Sequence, residues 1–97
     1  MKICFDIDGT ICTNTYGDYN KAEPLPERIK IIQSLISEGH EIIFCTARGS
    51  ETGIDWSDLT RTQLENWGLP SSNLFFGKPS ADKYVDDKGV SDTIFFS

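Results

Sequence analysis

The stretch Asp6-Ile7-Asp8-Gly9-Thr10 places two carboxylates two residues apart at the end of an apolar run that begins at Ile3. In a regular strand a period of two sends both side chains to one face. A strand end with charged turn residues is the plain reading of such a stretch, so the pair alone is moderately specific. The positions of other polar residues sharpen it. Thr46 follows Ile42-Ile43-Phe44-Cys45, with Arg48 two residues on; Lys78 follows Leu74 to Gly77; and Asp86-Asp87 follow Tyr84-Val85. Each apolar run ends in a group able to do chemistry, and in a parallel sheet those ends share one edge. Four carboxylates meeting there without a cation would repel one another, and some would take up protons. A cation is therefore implied, and oxygen ligands with no His or Cys beside them point to Mg²⁺, completed by waters and a phosphate.

The elements that must position these residues follow from the apolar pattern. The runs are short, continuous and rich in β-branched or aromatic residues, as strands covered on both faces should be. Between the first two, Ile29, Ile32 and Ile36 fall near one face of a helix expected from Pro26 to Glu38, with Gly39 as its stop. A second helix is expected from Asp55 to Trp67, ending before Gly68 and Pro70. Alternation of strand and helix implies an α/β fold with a mainly parallel sheet and right-handed crossovers. Ile94-Phe95-Phe96 is read as one further edge strand, available as a homodimer contact. The loops from Ile11 to Pro24 and from Gly49 to Ile54 are longer than such a fold needs, and Tyr16 to Asn20 reads as the tip of a small flap. Loops that leave the carboxyl ends of parallel strands are where α/β ligand sites form. Trp56 and Trp67 read as helix-packing residues, and Tyr16 and Tyr19 as candidates to line the mouth of the site.

Composition narrows the function. With 97 residues the chain has room for one domain, 1–97, and none for a large cap beside it. A net charge of −6 argues against a broad grip on nucleic acid or on an anionic membrane. No run reaches the length of a membrane span, and the N-terminus lacks the pattern of a secretory signal, so the expected location is cytoplasmic. Cys4, Cys12 and Cys45 form no CxxC pair and read as buried reduced thiols. His40, the single histidine, reads as a helix-terminal residue rather than a base.

Taken in order, Asp6-x-Asp8-Gly9-Thr10, Thr46, Lys78 and Asp86-Asp87 resemble the four motifs of the haloacid dehalogenase-like (HAD) phosphohydrolase superfamily. Phe44-Cys45-Thr46-Ala47-Arg48 and Gly77-Lys78-Pro79-Ser80-Ala81-Asp82 further resemble small capless phosphatases of capsular polysaccharide biosynthesis. The resemblance implies a three-layer α/β/α sandwich with a Rossmann-like sheet and a minimal or absent cap. It implies that Asp6 is the nucleophile, giving an aspartyl-phosphate, and that Asp8 is the general acid and base. Mg²⁺ would be held by Asp6, the Asp8 main-chain carbonyl and Asp87, with Asp86 beside it directly or one step removed. Thr46 and Lys78 would bind phosphoryl oxygens, and Arg48 is placed between substrate contact and a surface ion pair. The substrate class implied is a small phosphate ester, a sugar phosphate first, with a polynucleotide 3′-phosphate as the alternative. Two other readings stand beside the hydrolase: a phosphoacceptor signalling module, and a binding domain of the same fold without catalysis. The order of the motifs favours the hydrolase, because a receiver domain has its acidic pair early and its acceptor on a later strand.

Overall fold

The structure is a computed structural model that describes residues 1–49, 52–77, 81–86, 90–91 and 96, with Asp86, Val90 and Ser91 described through their backbone. The apolar runs form β1 (Lys2–Asp6), β2 (Glu41–Thr46), β3 (Leu74–Phe76) and β4 (Lys83–Asp86), and a short β5 (Val90–Ser91) follows. They make one sheet in the order β3-β2-β1-β4-β5, with every pairing parallel. The parallel pairs β1–β2 and β2–β3 are each joined through a helical crossover. Accordingly α1 (Pro26–Ser37) carries the chain from β1 to β2, and α2 (Ser57–Asn66) carries it from β2 to β3. The α/β architecture is the one expected.

Helix boundaries have local causes. Pro26 opens α1 where its missing N–H costs nothing, Glu27 sits in the first turn, and Gly39 at φ +92° turns the chain out. The start of α2 lies two residues later than expected because Asp55 Oδ1 accepts the Ser57 N–H at 2.9 Å and the Ser57 hydroxyl at 2.6 Å, forming a turn ahead of the helix. These Ser57 bonds hold the exposed Asp55 carboxyl below its usual pKa.

Strand alternation divides the core. Ile3, Phe5, Ile42, Phe44 and Val85 share the face that meets Ile29 and Ile32 of α1 and Leu64 of α2. Cys4, Ile43 and Cys45 occupy the opposite face, with Ala81 and Tyr84 packed against them. The Cys4 and Cys45 sulfurs lie 2.9 Å apart, and all three cysteines are buried thiols outside any disulfide. His40 sits just past α1, with Nε2 3.8 Å from the Glu38 carboxylate.

One expectation changes. The run at β3 is not covered on both faces: Phe75 and Phe76 are 45% and 46% exposed, because β3 is an edge strand with β2 as its sheet neighbour. Among the described residues the last strand is Val90–Ser91. Of the run Ile94-Phe95-Phe96, read from the sequence as a further edge strand, Ile94 and Phe95 lie outside the described residues, while the Phe96 ring packs 5.8 Å from that of Phe5. The expected flap is present. Its neck is closed by a Cys12–Pro24 bridge and by the Thr13 N–H donating to the Glu23 carbonyl at 2.8 Å. Among the described residues no helix is long and apolar enough to cross a membrane.

Candidate active site

The carboxyl edge of the sheet carries Asp6, Asp8 and Thr46 and the backbone of Asp86. Asp6 ends β1 opposite Cys45, one residue before Thr46 at the end of β2. On the other side Phe5 pairs with Val85, so the backbone of Asp86 runs beside Asp6. Lys78 and Asp87 lie outside the described residues. Thr46 is buried, and its hydroxyl oxygen accepts the Arg48 N–H at 3.1 Å, which turns the chain after β2.

Asp6 and Asp8 do not share a site through strand alternation, because β1 stops at Asp6. The turn does the work instead. Asp6 Oδ1 accepts the Ile7 N–H at 2.9 Å, the Ile7 carbonyl accepts the N–H groups of Thr10 and Ile11 at 3.1 and 3.0 Å, and Gly9 takes φ +80°. A left-handed residue at that point is one glycine adopts without steric cost. The turn brings Asp8 back beside Asp6, and both line a cavity of about 550 Å³, within the usual range for small-molecule sites. Asn14 and Tyr16 of the flap form one wall, and Thr52, Ile54 and Trp56 form another. Trp56, expected only to pack, thus also lines the site, with its ring edge-on to Tyr19 at 5.0 Å.

Arg48 organises the floor. It donates to Asp8 through Nε at 2.9 Å to Oδ2 and through Nη2 at 2.8 Å to Oδ1, a two-pronged clamp that fixes the plane of the carboxylate. Nη1 donates to Thr60 Oγ1 at 3.1 Å and to Gln63 Oε1 at 2.6 Å, and the guanidinium carbon lies 4.6 Å from the centre of the Tyr19 ring. The arginine side chain is wholly buried and Asp8 is 19% exposed. Arg48 is therefore not a surface ion pair; it is an internal cation with a partner on each side. Cys12 lies behind Asp8, with Sγ 3.7 Å from Oδ1. Burial, reinforced by the Asp8 charge, pushes this thiol up to about 12, so it stays neutral in ordinary solution.

Thr60 and Gln63 were not singled out by sequence reasoning. The signal was available, since both share the buried stripe of α2 with Leu64. Polar groups on such a stripe need partners. Among the described residues no group of three His, Cys, Asp or Glu side chains is placed to hold a metal.

The family model for haloacid dehalogenase-like hydrolases matches residues 3–61, more than half of the chain. The chain belongs to that family. The match takes in Asp6, Asp8, Thr46 and Arg48 and ends short of Gln63. A solved structure of a structural-genomics target from Vibrio cholerae is similar to this HAD-like chain over 99% of its length and 87% of the other, with 25% identity and a TM-score of 0.76. No curated protein matches it. Membership suggests hydrolysis of the phosphatase type, and HAD-like hydrolases generally use Mg²⁺.

Proposed function

We propose that this HAD-like chain is a Mg²⁺-dependent phosphomonoesterase that works through an aspartyl-phosphate on Asp6 and takes a small phosphate ester, a sugar phosphate of polysaccharide precursor synthesis being the preferred class. The observation that carries the reading is the presence in one cavity of a strand-end carboxylate and a second carboxylate clamped in a fixed plane. Asp6 attacks phosphorus in line, its new O–P bond forming as the ester O–P bond breaks. Asp8 gives its proton to the departing alkoxide. It then takes a proton from the water that attacks the phosphorus of the aspartyl-phosphate, which releases phosphate and restores Asp6. A carboxylate has about four lone-pair sites, so Asp8 can carry a proton without leaving the Arg48 clamp.

Thr46 and Lys78 are assigned to phosphoryl oxygens. Arg48, read from the sequence as standing between substrate contact and a surface ion pair, turns its donors to Asp8, Thr60 and Gln63, and its role here is to hold Asp8 in position. The donor chemistry fits Mg²⁺. Asp6 and the Asp8 carbonyl offer hard oxygens, Asp86 ends β4 and Asp87 is the next residue in the sequence, and the neighbouring sulfur of Cys12 is a neutral thiol rather than a competing ligand. When bound, the ion would neutralise charge on the phosphoryl oxygens, which matters because phosphoryl transfer is mostly positioning and charge stabilisation. The test is phosphate release from an aryl phosphate, with and without Mg²⁺, by the wild-type protein and by Asp6→Asn. Release that needs both the ion and Asp6 is expected. A stable phosphorylated Asp6 with no release would replace the hydrolase by a phosphoacceptor module.

A further inference from the structure

Gln63 lies in α2 with 8% of its surface exposed, and both ends of its amide are engaged. Oε1 accepts from Arg48 Nη1 at 2.6 Å, and Nε2 donates to the Tyr19 main-chain carbonyl at 2.7 Å. The partners dictate this orientation, since a guanidinium only donates and a carbonyl only accepts. One side chain thus ties three things together: α2, the flap segment at Tyr19, and the arginine that clamps Asp8. Tyr19 closes the circuit by laying its ring over the same guanidinium.

We infer that Gln63 is a positioning residue for the acid–base step, seating Arg48 between α2 and the flap and so fixing where Asp8 presents its proton. The inference rests on the assignment of Asp8 as the general acid. Neither obvious replacement performs both tasks. Glu accepts from Arg48 but cannot donate to Tyr19, and its charge competes with Asp8 for the guanidinium; Leu fills the space and does neither.

The experiment compares kcat/KM on two monoesters: an alkyl phosphate, whose alkoxide needs a proton to leave, and nitrophenyl phosphate, whose phenolate leaves without one. Both are measured on wild type, Gln63→Leu, Gln63→Glu, Asp8→Asn and a control, Gln33→Leu, which removes a different inter-segment amide contact, to the Gly68 carbonyl at 3.0 Å. The Gln63 variants are expected to lose roughly 10- to 100-fold on the alkyl ester and less than about threefold on the aryl ester, the size of effect a small misplacement produces. Asp8→Asn should share that selectivity and Gln33→Leu should not. Partial unfolding lowers both rates together and leaves their ratio intact. Equal losses on the two esters, or none, overturn the inference even where Asp8→Asn shows the selectivity. A wild-type protein inactive on both esters with Mg²⁺ overturns the hydrolase reading itself and the inference with it.

Discussion

On one side of the cavity Arg48 has no solvent exposure and its guanidinium donates to Asp8, Thr60 and Gln63; on the other, Tyr16 stands 90% exposed on the flap with a left-handed backbone at φ +54°. The Arg48 side is a buried polar network in which each group depends on the next. The Tyr16 side is a single aromatic side chain on a turn, held by its N–H to Asn14 Oδ1 at 3.1 Å. The difference separates two tasks. A proton must be held within a fraction of an ångström, which calls for a rigid and fully satisfied surround. A leaving group must enter and depart, which calls for a wall that solvent reaches.

If that division is right, substitutions on the two sides should fail differently. The largest effect is expected at Asp8. Asp8→Asn should lower turnover by roughly 10² to 10⁴-fold as the acid and base are lost, and an unchanged rate would remove Asp8 from the chemistry. Next comes Arg48→Met, which breaks a buried pair by deleting one partner and should cost about 3 kcal/mol in urea unfolding; a loss under half of that would mean the network is not what holds this side together. A milder effect belongs to alkaline solution. The Cys12 thiol stays protonated to about 12 in the folded protein against a usual 9.0. Between those values the folded chain binds more protons than the unfolded one, so this group's stabilisation is complete below 9.0 and declines as pH rises towards 12. Cys12→Ala should therefore flatten the fall in stability between pH 9 and 11 relative to wild type, as followed by denaturant midpoints. The smallest effect is expected at the flap: Tyr16→Gly suits the left-handed backbone and should leave stability within about 0.5 kcal/mol. It should raise KM at unchanged kcat, the signature of binding shared by ground and transition states. A fall in kcat instead would show that the flap tip helps align the chemistry.

The elements that the sequence revealed best are those whose signals are local. Pro26 and Gly39 bracket α1 to within a residue, and the run Leu74–Phe76 is β3 as expected. What escaped depends on partners distant in the chain. Nothing in Leu74-Phe75-Phe76 itself says that the strand lies at an edge. Asp6, Asp8 and Thr46 were legible because strand ends mark them, although the turn at Gly9, rather than strand alternation, is what places Asp8. Arg48 was visible as a residue but not as a buried one, since its acceptors Thr60 and Gln63 come from α2 and look like ordinary polar helix residues until the stripe they share with Leu64 is traced.

The seat of the guanidinium inside α2 also governs how this chain can change length. A helix turns about 100° with each residue, so one residue inserted between Ser57 and Thr60 would swing Thr60 and Gln63 off the cavity side, while the same insertion near Gly17 would only lengthen a solvent-facing turn. Drift in length should therefore collect in the flap, leaving α2 as the segment whose spacing from Arg48 is held constant.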